Sequence, residues 1–207
     1  MVRQKHWSAI ILVTIGMLLG SLLYSPALLA QDKSLVWERF DVDLVVNRDG
    51  TLNVQEHQTI HFTSGTFRFG YRELPISNLG YVDQWMITDS RGNQYQLSTR
   101  ADEPYTFTVE DNGSRYGIRW YFPPIENTTE SYTLSYTVHD GLRFYEGGDQ
   151  LWWKAIYGDR DFPVLAGRVQ VTVPTATEIV EWAAYINEVD ARDRASAVVE
   201  ANAHTII

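Results

Sequence analysis

Acidic residues close to tryptophans are the first feature of this chain that could carry chemistry. Asp159 and Asp161 follow Trp152 and Trp153 by a few residues. Paired carboxylates can cleave a glycosidic bond, one as general acid and the other as nucleophile or base, and tryptophans often line sugar sites. Adjacent strand residues face opposite sides of a sheet, so one tryptophan is expected in the core. The two acids are expected to form a turn with Arg160, which leaves carbohydrate chemistry as the alternative.

Glu56 is a second candidate for chemistry. It shares the two-residue parity of Val54 and Ile60 and is therefore expected to point into the core. An isolated buried charge costs several kcal/mol, so this carboxylate needs a partner, and Arg72 is the candidate. We interpret the two as a structural ion pair. The other interpretations are a β-bulge that turns Glu56 outward, or a general acid or binding-site carboxylate.

Metal and nucleophilic chemistry have little support in the sequence. His57 and His61 would share one face of a helix, but on a strand rising ~3.3 Å per residue they stand roughly 13 Å apart, too far to share an ion. The chain has no cysteine, which removes thiolate nucleophiles, disulfides and cysteine metal sites. It also has no G-x-S-x-G motif and no glycine-rich phosphate loop. We therefore expect no metal, no cofactor and no catalytic residues.

Aromatic residues are the main candidates for a contact surface. The chain has seven tryptophans and twelve tyrosines, residue types that fill β-sheet cores and also anchor protein interfaces. Trp85, Tyr121 and Tyr145 are expected on outward faces. If these three side chains cluster they form a binding patch, whereas scattered exposed aromatic residues carry no such meaning.

The charge of the chain narrows the range of ligands. The formal net charge is −9, and without the first 30 residues, which hold Arg3 and Lys5 and no acid, it is about −11. A surface this acidic repels nucleic-acid phosphates and anionic lipid headgroups. We therefore expect no nucleic-acid ligand, and instead a protein or another component of the cell envelope as partner.

Residues 1–30 have the layout of an export signal. Two basic residues precede an uncharged apolar run, Ala9–Leu23, and Ala30 offers a small residue for cleavage. The alternative is an uncleaved anchor, because Ser8–Ala30 is long enough to span ~30 Å of hydrocarbon. In both cases the positive start stays in the cytoplasm, and residues 31–207 form an extracytoplasmic domain. Membrane attachment through the N-terminal segment is expected if Ala30 is not cleaved.

From Val36 onward, apolar residues recur with the two-residue period of half-buried strands. Two hairpins are predicted, around the turns Asn47–Gly50 and Asn112–Gly113, and Pro123 and Pro124 are expected to end the second because proline cannot donate to a ladder. Further strands are predicted at Val82–Thr88, Tyr95–Arg100, Tyr132–Val138, Leu151–Ile156 and Gly167–Val173. The sequence thus predicts an all-β fold, an antiparallel β-sandwich of about nine short strands after an N-terminal signal or anchor helix.

Several segments, in their order along the chain, resemble a known family. They are Phe40–Asp43 with Asp49–Glu56, then Phe67–Pro75, Asp149–Ile156 and Val169–Pro174. After an apolar leader, this order is similar to the bacterial family of predicted membrane proteins whose domain of unknown function is called DUF2207. The resemblance covers most of Val36–Pro174. It implies an extracytoplasmic β-sandwich at the N-terminus of a longer membrane protein, and it supplies no activity, substrate or catalytic residues.

The last residues, Ala203–Ile207, resemble the start of another strand. Because a domain normally completes its last strand and ends in polar residues, we expect this chain to be a shortened form of a longer protein. The leading functional hypothesis is a non-catalytic interaction or sensory domain outside the membrane. The alternative is an envelope enzyme that acts on carbohydrate, with Glu56, Asp159 or Asp161 as its acids.

Overall fold

The two-residue alternation of the sequence appears as β-strands in the computed structural model, which describes residues 33–157, 160–175, 177–186, 188–194, 197–200 and 203–206. In chain order the strands are β1 (Ser34–Val46), β2 (Leu52–Ser64), β3 (Phe67–Pro75), β4 (Val82–Asp89), β5 (Gln96–Leu97), β6 (Thr106–Asp111), β7 (Arg115–Ile125), β8 (Thr128–Val138), β9 (Leu142–Arg143), β10 (Gln150–Leu151), β11 (Gly167–Pro174), β12 (Tyr185–Ile186), β13 (Val189–Asp190), β14 (Ala197–Glu200) and β15 (Ala203–Ile206). The expected leader with its cleavage point at Ala30, and Asp159, lie outside the described residues.

The described residues contain no α-helix, and their only helical segment is a 3-10 turn at Arg192–Arg194. The predicted all-β class is therefore confirmed. In the same part of the chain, no helix has the length and apolar composition that a membrane span requires.

Eleven of the strands belong to two facing sheets. The larger sheet has the order β14-β15-β11-β1-β2-β8-β4 and the smaller one the order β3-β7-β6-β5, while β9 pairs with β10 and β12 with β13. Apolar residues from both sheets form one continuous core, so the predicted sandwich is confirmed. The strands outnumber the predicted nine because β3, β14, β15 and the two-residue strands β9, β12 and β13 are not among those nine.

The two predicted hairpins are β1–β2 and β6–β7. Gly50, at φ +85°, lies in the first turn and donates its amide to the carbonyl of Asn47. Gly113, at φ +81°, lies in the second turn. Both glycines hold a left-handed backbone conformation that a β-carbon disfavours, which explains why the chain turns at these points.

Two of the predicted strands are mostly loops. β5 covers only Gln96–Leu97 of the segment predicted at Tyr95–Arg100, and β10 stops at Leu151 although a strand is predicted to Ile156. After Leu151 the chain packs onto the core as a loop, in which Ala155 is buried. Because apolar side chains can be buried from a loop as well as from a strand, alternation overestimates the length of the strands here.

The predicted end of β7 is also wrong. β7 continues through Pro123 and Pro124 to Ile125. β6 pairs with β7 only as far as Tyr121, so beyond that point β7 has β3 as its single neighbour. On the β3 side, the register shift between Phe67 and Phe69 lies opposite the two prolines. Prolines are tolerated at an unpaired side of a strand and at a bulge, because no ladder amide is needed there.

Strand direction departs from the predicted antiparallel sandwich at two places. β1 pairs with β2 in the antiparallel sense but with β11 in the parallel sense, and β5 also pairs in parallel with β6. A parallel pair needs a long connection, and most of the domain lies between β1 and β11. Alternation shows which side chains face the core but not the direction of the neighbouring strand, so the sequence does not predict these pairs.

Aromatic rings pack between the two sheets. Phe62 on β2 contacts Phe67 and Phe122 of the smaller sheet, with ring centroids 4.8 and 5.9 Å apart. Trp120 on β7 contacts Tyr132 on β8 at 5.5 Å. Tilted and edge-on contacts of this kind are favourable for aromatic pairs, so these rings fix how closely the sheets approach.

The substitution Gly70→Ala is predicted to destabilise the domain. Gly70 lies opposite Trp120 in the β3–β7 pair, and a β-carbon on it would come within 2.1 Å of the indole ring. Because the buried ring must move, the free energy of unfolding should fall by about 1–3 kcal/mol. Urea unfolding of the full chain, followed by tryptophan fluorescence, measures this change.

Gly147→Ala is the matched control for this prediction. A β-carbon at Gly147 meets no atom within 4 Å, so this variant should change the free energy of unfolding by less than ~0.5 kcal/mol. Equal effects of the two substitutions would contradict the packing described for Gly70 and Trp120.

Candidate functional site

A buried ion pair, formed by Glu56 and Arg72, joins the two sheets. Glu56 on β2 is 1% exposed and Arg72 on β3 is 5% exposed. Arg72 Nε donates to both carboxylate oxygens of Glu56, at 3.1 and 2.9 Å, and Nη2 donates to Oε1 at 2.9 Å. The structure thus brings together the two residues that the sequence pairs, and Glu56 does not turn outward at a bulge.

Neighbouring side chains complete the network around Glu56. Tyr136 on β8 donates its hydroxyl to the carboxylate at 2.9 Å, and Gln58 donates its amide at 3.3 Å. The Gln58 carbonyl in turn accepts the indole N–H of Trp37 at 3.0 Å. Arg72 also donates through Nη1 to the main-chain carbonyl of the next residue along β3. The ion pair therefore links β1, β2 and β8 of the larger sheet to β3 of the smaller sheet.

The surroundings of Arg72 and Tyr136 raise the pKa values of both side chains. Burial alone lowers the pKa of Arg72, but the adjacent Glu56 carboxylate raises it, and the resulting pKa lies above its ordinary value. Burial, together with the same carboxylate, raises the pKa of Tyr136 well above its ordinary value. Arg72 therefore stays charged and Tyr136 stays a hydrogen-bond donor. A general acid must reach a ligand, whereas both Glu56 oxygens face donors inside the core.

The outer face of the smaller sheet carries an exposed arginine between two aromatic rings. The guanidinium carbon of Arg119 on β7 lies 4.8 Å from the ring centroid of Phe69 and 5.4 Å from that of Tyr71, both on β3. Phe69 is 41% and Tyr71 45% exposed. Among the described residues, no carboxylate lies within ion-pair distance of Arg119.

The acid on this face already has partners. Glu73 accepts a hydrogen bond from the Tyr71 hydroxyl at 2.7 Å and an ion pair from Arg115 at 2.9 Å. Partial burial and the bond to Glu73 raise the pKa of Tyr71, so its hydroxyl remains a donor. A β-carbon on Gly117 would come within 3.3 Å of that hydroxyl, so glycine leaves room for the ring to lie over the sheet. We call the outer surface formed by Phe69, Tyr71, Glu73, Arg115 and Arg119 the arginine face.

Sequence reasoning did not identify Phe69 and Tyr71 as surface residues. The sequence contains the pattern that would have identified them, because both residues have the parity opposite to Arg72 in Phe67–Pro75. If Arg72 points inward to reach Glu56, then Phe69 and Tyr71 must point outward.

The three aromatic residues named as candidates for a contact surface do not cluster. A register shift between Asp83 and Met86 lets Trp85 pack partly buried against Tyr136, at 4.9 Å. Tyr121 has the outward parity, but the Phe69 ring packs beside it at 6.4 Å and it is only 3% exposed. Tyr145 is 60% exposed in the loop between β9 and β10. Within the described part of the chain, none of these three rings contacts another.

The outer face of the larger sheet is polar, and its two histidines have separate partners. His57 contacts the Thr133 hydroxyl at 3.1 Å and the Asp43 carboxylate at 3.4 Å. His61 contacts the hydroxyl of Thr129 at 2.9 Å. In the part of the chain that is described, no group of three or more histidine, aspartate and glutamate residues is arranged to hold a metal ion.

The loop that precedes β11 holds the remaining predicted residues. Asp161 is exposed, whereas Arg160 turns inward and places its guanidinium carbon 4.8 Å from the ring of Trp37. Trp152 is largely exposed and Trp153 packs against the core. Only one of the adjacent tryptophans therefore joins the core, as the sequence predicts, although the segment is a loop and not a strand.

A comparison with protein families identifies the class of this domain. Residues 37–206 match the model of the N-terminal domain of DUF2207, described as a predicted membrane protein. The chain belongs to this family, and the resemblance noted from its sequence segments is confirmed. No curated protein matches the chain.

Solved structures give only a distant likeness. An M1 zinc metallopeptidase from Deinococcus radiodurans is 16% identical with a TM-score of 0.40, over 85% of this chain and 39% of that one. A putative protease from Parabacteroides distasonis is 7% identical with a TM-score of 0.42, over 84% of this chain and 34% of that one. The chain thus spans well under half the length of these proteins, and such scores carry no argument about its function.

Removal of Arg72 is predicted to destabilise the domain strongly. Arg72→Met leaves the Glu56 carboxylate buried without its cation, which should lower the free energy of unfolding by about 3–5 kcal/mol. Adding Glu56→Gln to this variant should restore part of the loss, because a neutral amide no longer needs a cation. Urea unfolding of the full chain measures both variants.

Arg115→Met is the control for the buried pair. Arg115 pairs with Glu73 at the surface, and an exposed pair of this kind contributes at most about 1 kcal/mol. If Arg72→Met costs no more than Arg115→Met, the network is not the structural element described above.

Alkaline pH is predicted to weaken the fold through its buried tyrosines. Burial, more than any charge, raises the pKa values of Tyr132 and Tyr136. Above about pH 10 the unfolded chain releases tyrosine protons that the folded chain keeps, so stability that is complete below that pH is lost as pH rises. Each tyrosine contributes a slope of about 1.4 kcal/mol per pH unit. Urea unfolding between about pH 9 and pH 12 should show this slope. Tyr132→Phe should reduce it by about a third, because burial raises the pKa values of Tyr95 and Tyr136 in the same way. A stability that is independent of pH in this range would contradict the burial of these hydroxyls.

Proposed function

We propose that residues 31–207 form a non-catalytic interaction domain of a membrane protein, presented outside the cytoplasmic membrane, which binds a protein partner through the arginine face. Membership of a family of predicted membrane proteins supports the membrane association. The two basic residues before the apolar leader support the outward orientation, because such residues stay in the cytoplasm.

The observation that carries this proposal is the position of Arg119. Its guanidinium lies between Phe69 and Tyr71, so part of the entropy cost of fixing a long side chain is met before any ligand arrives. Stacking on ring faces leaves the N–H groups of a guanidinium available, and their planar fork matches a carboxylate. The site is therefore organised to receive an anionic group.

The surrounding charges favour the same kind of ligand. Glu73 is matched by Arg115, and Arg68 is a further exposed arginine on β3. Glu110 lies on the same face, but on β6, two strands from β3. The β3 side of the arginine face is thus locally positive on a chain with a net charge of −9. A carboxylate-bearing segment of a protein is the partner that fits both the charge and the exposed aromatic rings.

Peptide binding tests this proposal. The probes are two labelled peptides of roughly strand length, one of alternating valine and glutamate and one of alternating valine and glutamine. Fluorescence anisotropy with the full chain should show that the glutamate peptide binds at least about tenfold more tightly, because a hydrogen bond to a charged group is worth this much or more. Arg119→Gln should abolish the preference.

Arg48→Gln provides the matched control. Arg48 is an exposed arginine in the β1–β2 turn, and its loss changes the net charge by the same amount as loss of Arg119. The control variant should keep the preference for glutamate. If both variants bind the glutamate peptide equally, the arginine face does not recognise a carboxylate and the proposed function fails.

A further inference from the structure

We propose that the partner segment lies over the two central strands of the smaller sheet and carries two opposite charges, an acidic group that pairs with Arg119 and a basic group that pairs with Glu110. This inference rests on the proposed function, because it specifies the chemistry of the segment that the arginine face receives. It brings in Glu110, which lies on β6 beside that face.

Glu110 is an acidic neighbour of Arg119 on the outer face of the smaller sheet. In the β6–β7 pair, Thr108 lies opposite Arg119 and Glu110 lies opposite Gly117. Residues opposite each other in a sheet, and residues two apart on one strand, share a face. Glu110 and Arg119 are therefore diagonal neighbours on the same face, with backbones ~7–8 Å apart.

Each of these two charges is exposed and unpaired. Arg119 and Glu110 both lack an ion-pair partner among the residues that the structure describes. Opposite charges at diagonal positions can interact, but the Arg119 guanidinium instead stacks on Phe69 and Tyr71. Both rings belong to β3, the neighbour of β7 on the side away from β6. The surface thus holds two available charges of opposite sign close to each other.

The ring of Tyr71 keeps the guanidinium in this position. It lies over Gly117, with its hydroxyl 3.3 Å from the place of a β-carbon on that glycine. The hydroxyl donates to Glu73 at 2.7 Å, and Arg115 donates to the other oxygen of the same carboxylate at 2.9 Å. Because Gly117 lies opposite Glu110, both charges stand over β7 and β6 with an aromatic ring beside them.

The charge of the whole chain favours a partner segment that carries both signs. The net charge is −9, so a purely acidic segment approaches Arg119 against long-range repulsion. A basic group in the same segment offsets this repulsion and also pairs with Glu110. In an extended segment, side chains two residues apart point the same way and stand ~6.6 Å apart, close to the spacing of diagonal neighbours in the sheet. The proposed partner therefore has an acidic and a basic residue at positions i and i+2.

A second copy of this chain is a less favourable occupant. Two copies related by a twofold axis could place Arg119 of each opposite Glu110 of the other, because a twofold interface is self-complementary. However, each copy has a net charge of −9, and like net charges oppose association. We therefore favour a different polypeptide, and the oligomeric state of the chain tests this choice.

Three labelled peptides of roughly strand length test the inference. Each has a single glutamate in a threonine-rich sequence. The first has lysine two residues after the glutamate, the second has glutamine at that position, and the third has lysine directly after the glutamate. Fluorescence anisotropy with the full chain in ~0.15 M salt should show that the first peptide binds about three- to fivefold more tightly than the other two, the upper range for an exposed ion pair.

The third peptide is the control for general attraction of lysine to an acidic chain. It has the same composition and net charge as the first peptide, but adjacent residues of an extended segment face opposite sides. Its lysine therefore points away from Glu110 when its glutamate meets Arg119.

Variants of the chain assign the effect to Glu110. Glu110→Gln should remove the advantage of the first peptide, so that all three bind alike. Glu146→Gln is the matched control, because Glu146 is exposed in the loop between β9 and β10 and has no ion-pair partner among the described residues. Its loss changes the net charge by the same amount, and this variant should keep the advantage of the first peptide.

Each other outcome overturns a defined part of the account. If the three peptides bind the unaltered chain alike while Arg119→Gln abolishes the preference for glutamate, this inference fails and the proposed function stands. If Glu146→Gln removes the advantage of the first peptide as Glu110→Gln does, net charge causes it and the inference fails. If Arg119→Gln leaves the preference for glutamate unchanged, the proposed function fails. If sedimentation shows a dimer that Glu110→Gln and Arg119→Gln both dissociate, a second copy is the occupant and a different polypeptide is wrong.

Discussion

The buried pair of Glu56 and Arg72 is the constraint on which the arrangement of the two sheets depends. A charge in a core must be matched by an opposite charge and by hydrogen bonds, and here four donor groups from three side chains, those of Arg72, Tyr136 and Gln58, converge on one carboxylate. They can do so only if β3 lies over β2 with Arg72 inward. A slip of β3 by one residue would turn Arg72 to solvent and leave the Glu56 carboxylate buried without its cation. The pair thus fixes which face of β3 is inside.

The outer surface follows from this inner contact. Because Arg72 points into the sandwich, Phe69 and Tyr71 point out, and Arg119 on the neighbouring strand lies between their rings. Two glycines make room on either side of the smaller sheet, Gly70 under the Trp120 indole and Gly117 under the Tyr71 hydroxyl. The network that stabilises the fold and the face proposed to bind a partner are therefore the two sides of the same pair of strands.

Much of this fold could be predicted from local patterns. Alternation and turn glycines located the β1–β2 and β6–β7 hairpins. Parity placed Glu56 inside, and the need of a buried carboxylate for a cation led to Arg72 as its candidate partner. The same parity, applied to the residues beside Arg72, was enough to place Phe69 and Tyr71 outside.

The features that could not be predicted depend on distant parts of the chain. The parallel pairing of β1 with β11 joins segments far apart in sequence. Trp85 turns towards the core because the register of β4 shifts beside it, and Tyr121 is covered by a ring from another strand. Neither a bulge nor a ring from another strand that covers a side chain changes the two-residue alternation of the sequence. The exposure of single aromatic residues is therefore the least predictable property of such a sandwich.

Amide hydrogen exchange of the free, full-length chain tests most directly whether β3 is fixed on one side and open on the other. The Ile76 amide donates to the Ser114 carbonyl, and the unshifted register of the β3–β7 pair then directs the amides of Gly70, Arg72 and Leu74 to β7. We predict slow exchange at these three amides, and exchange at Phe69 and Tyr71 that is faster by at least about a hundredfold, as expected for unpaired amides in a folded strand. Equal protection at all five amides would show that the edge of β3 is already covered. Fast exchange at all five would show that the buried pair does not hold β3 in place.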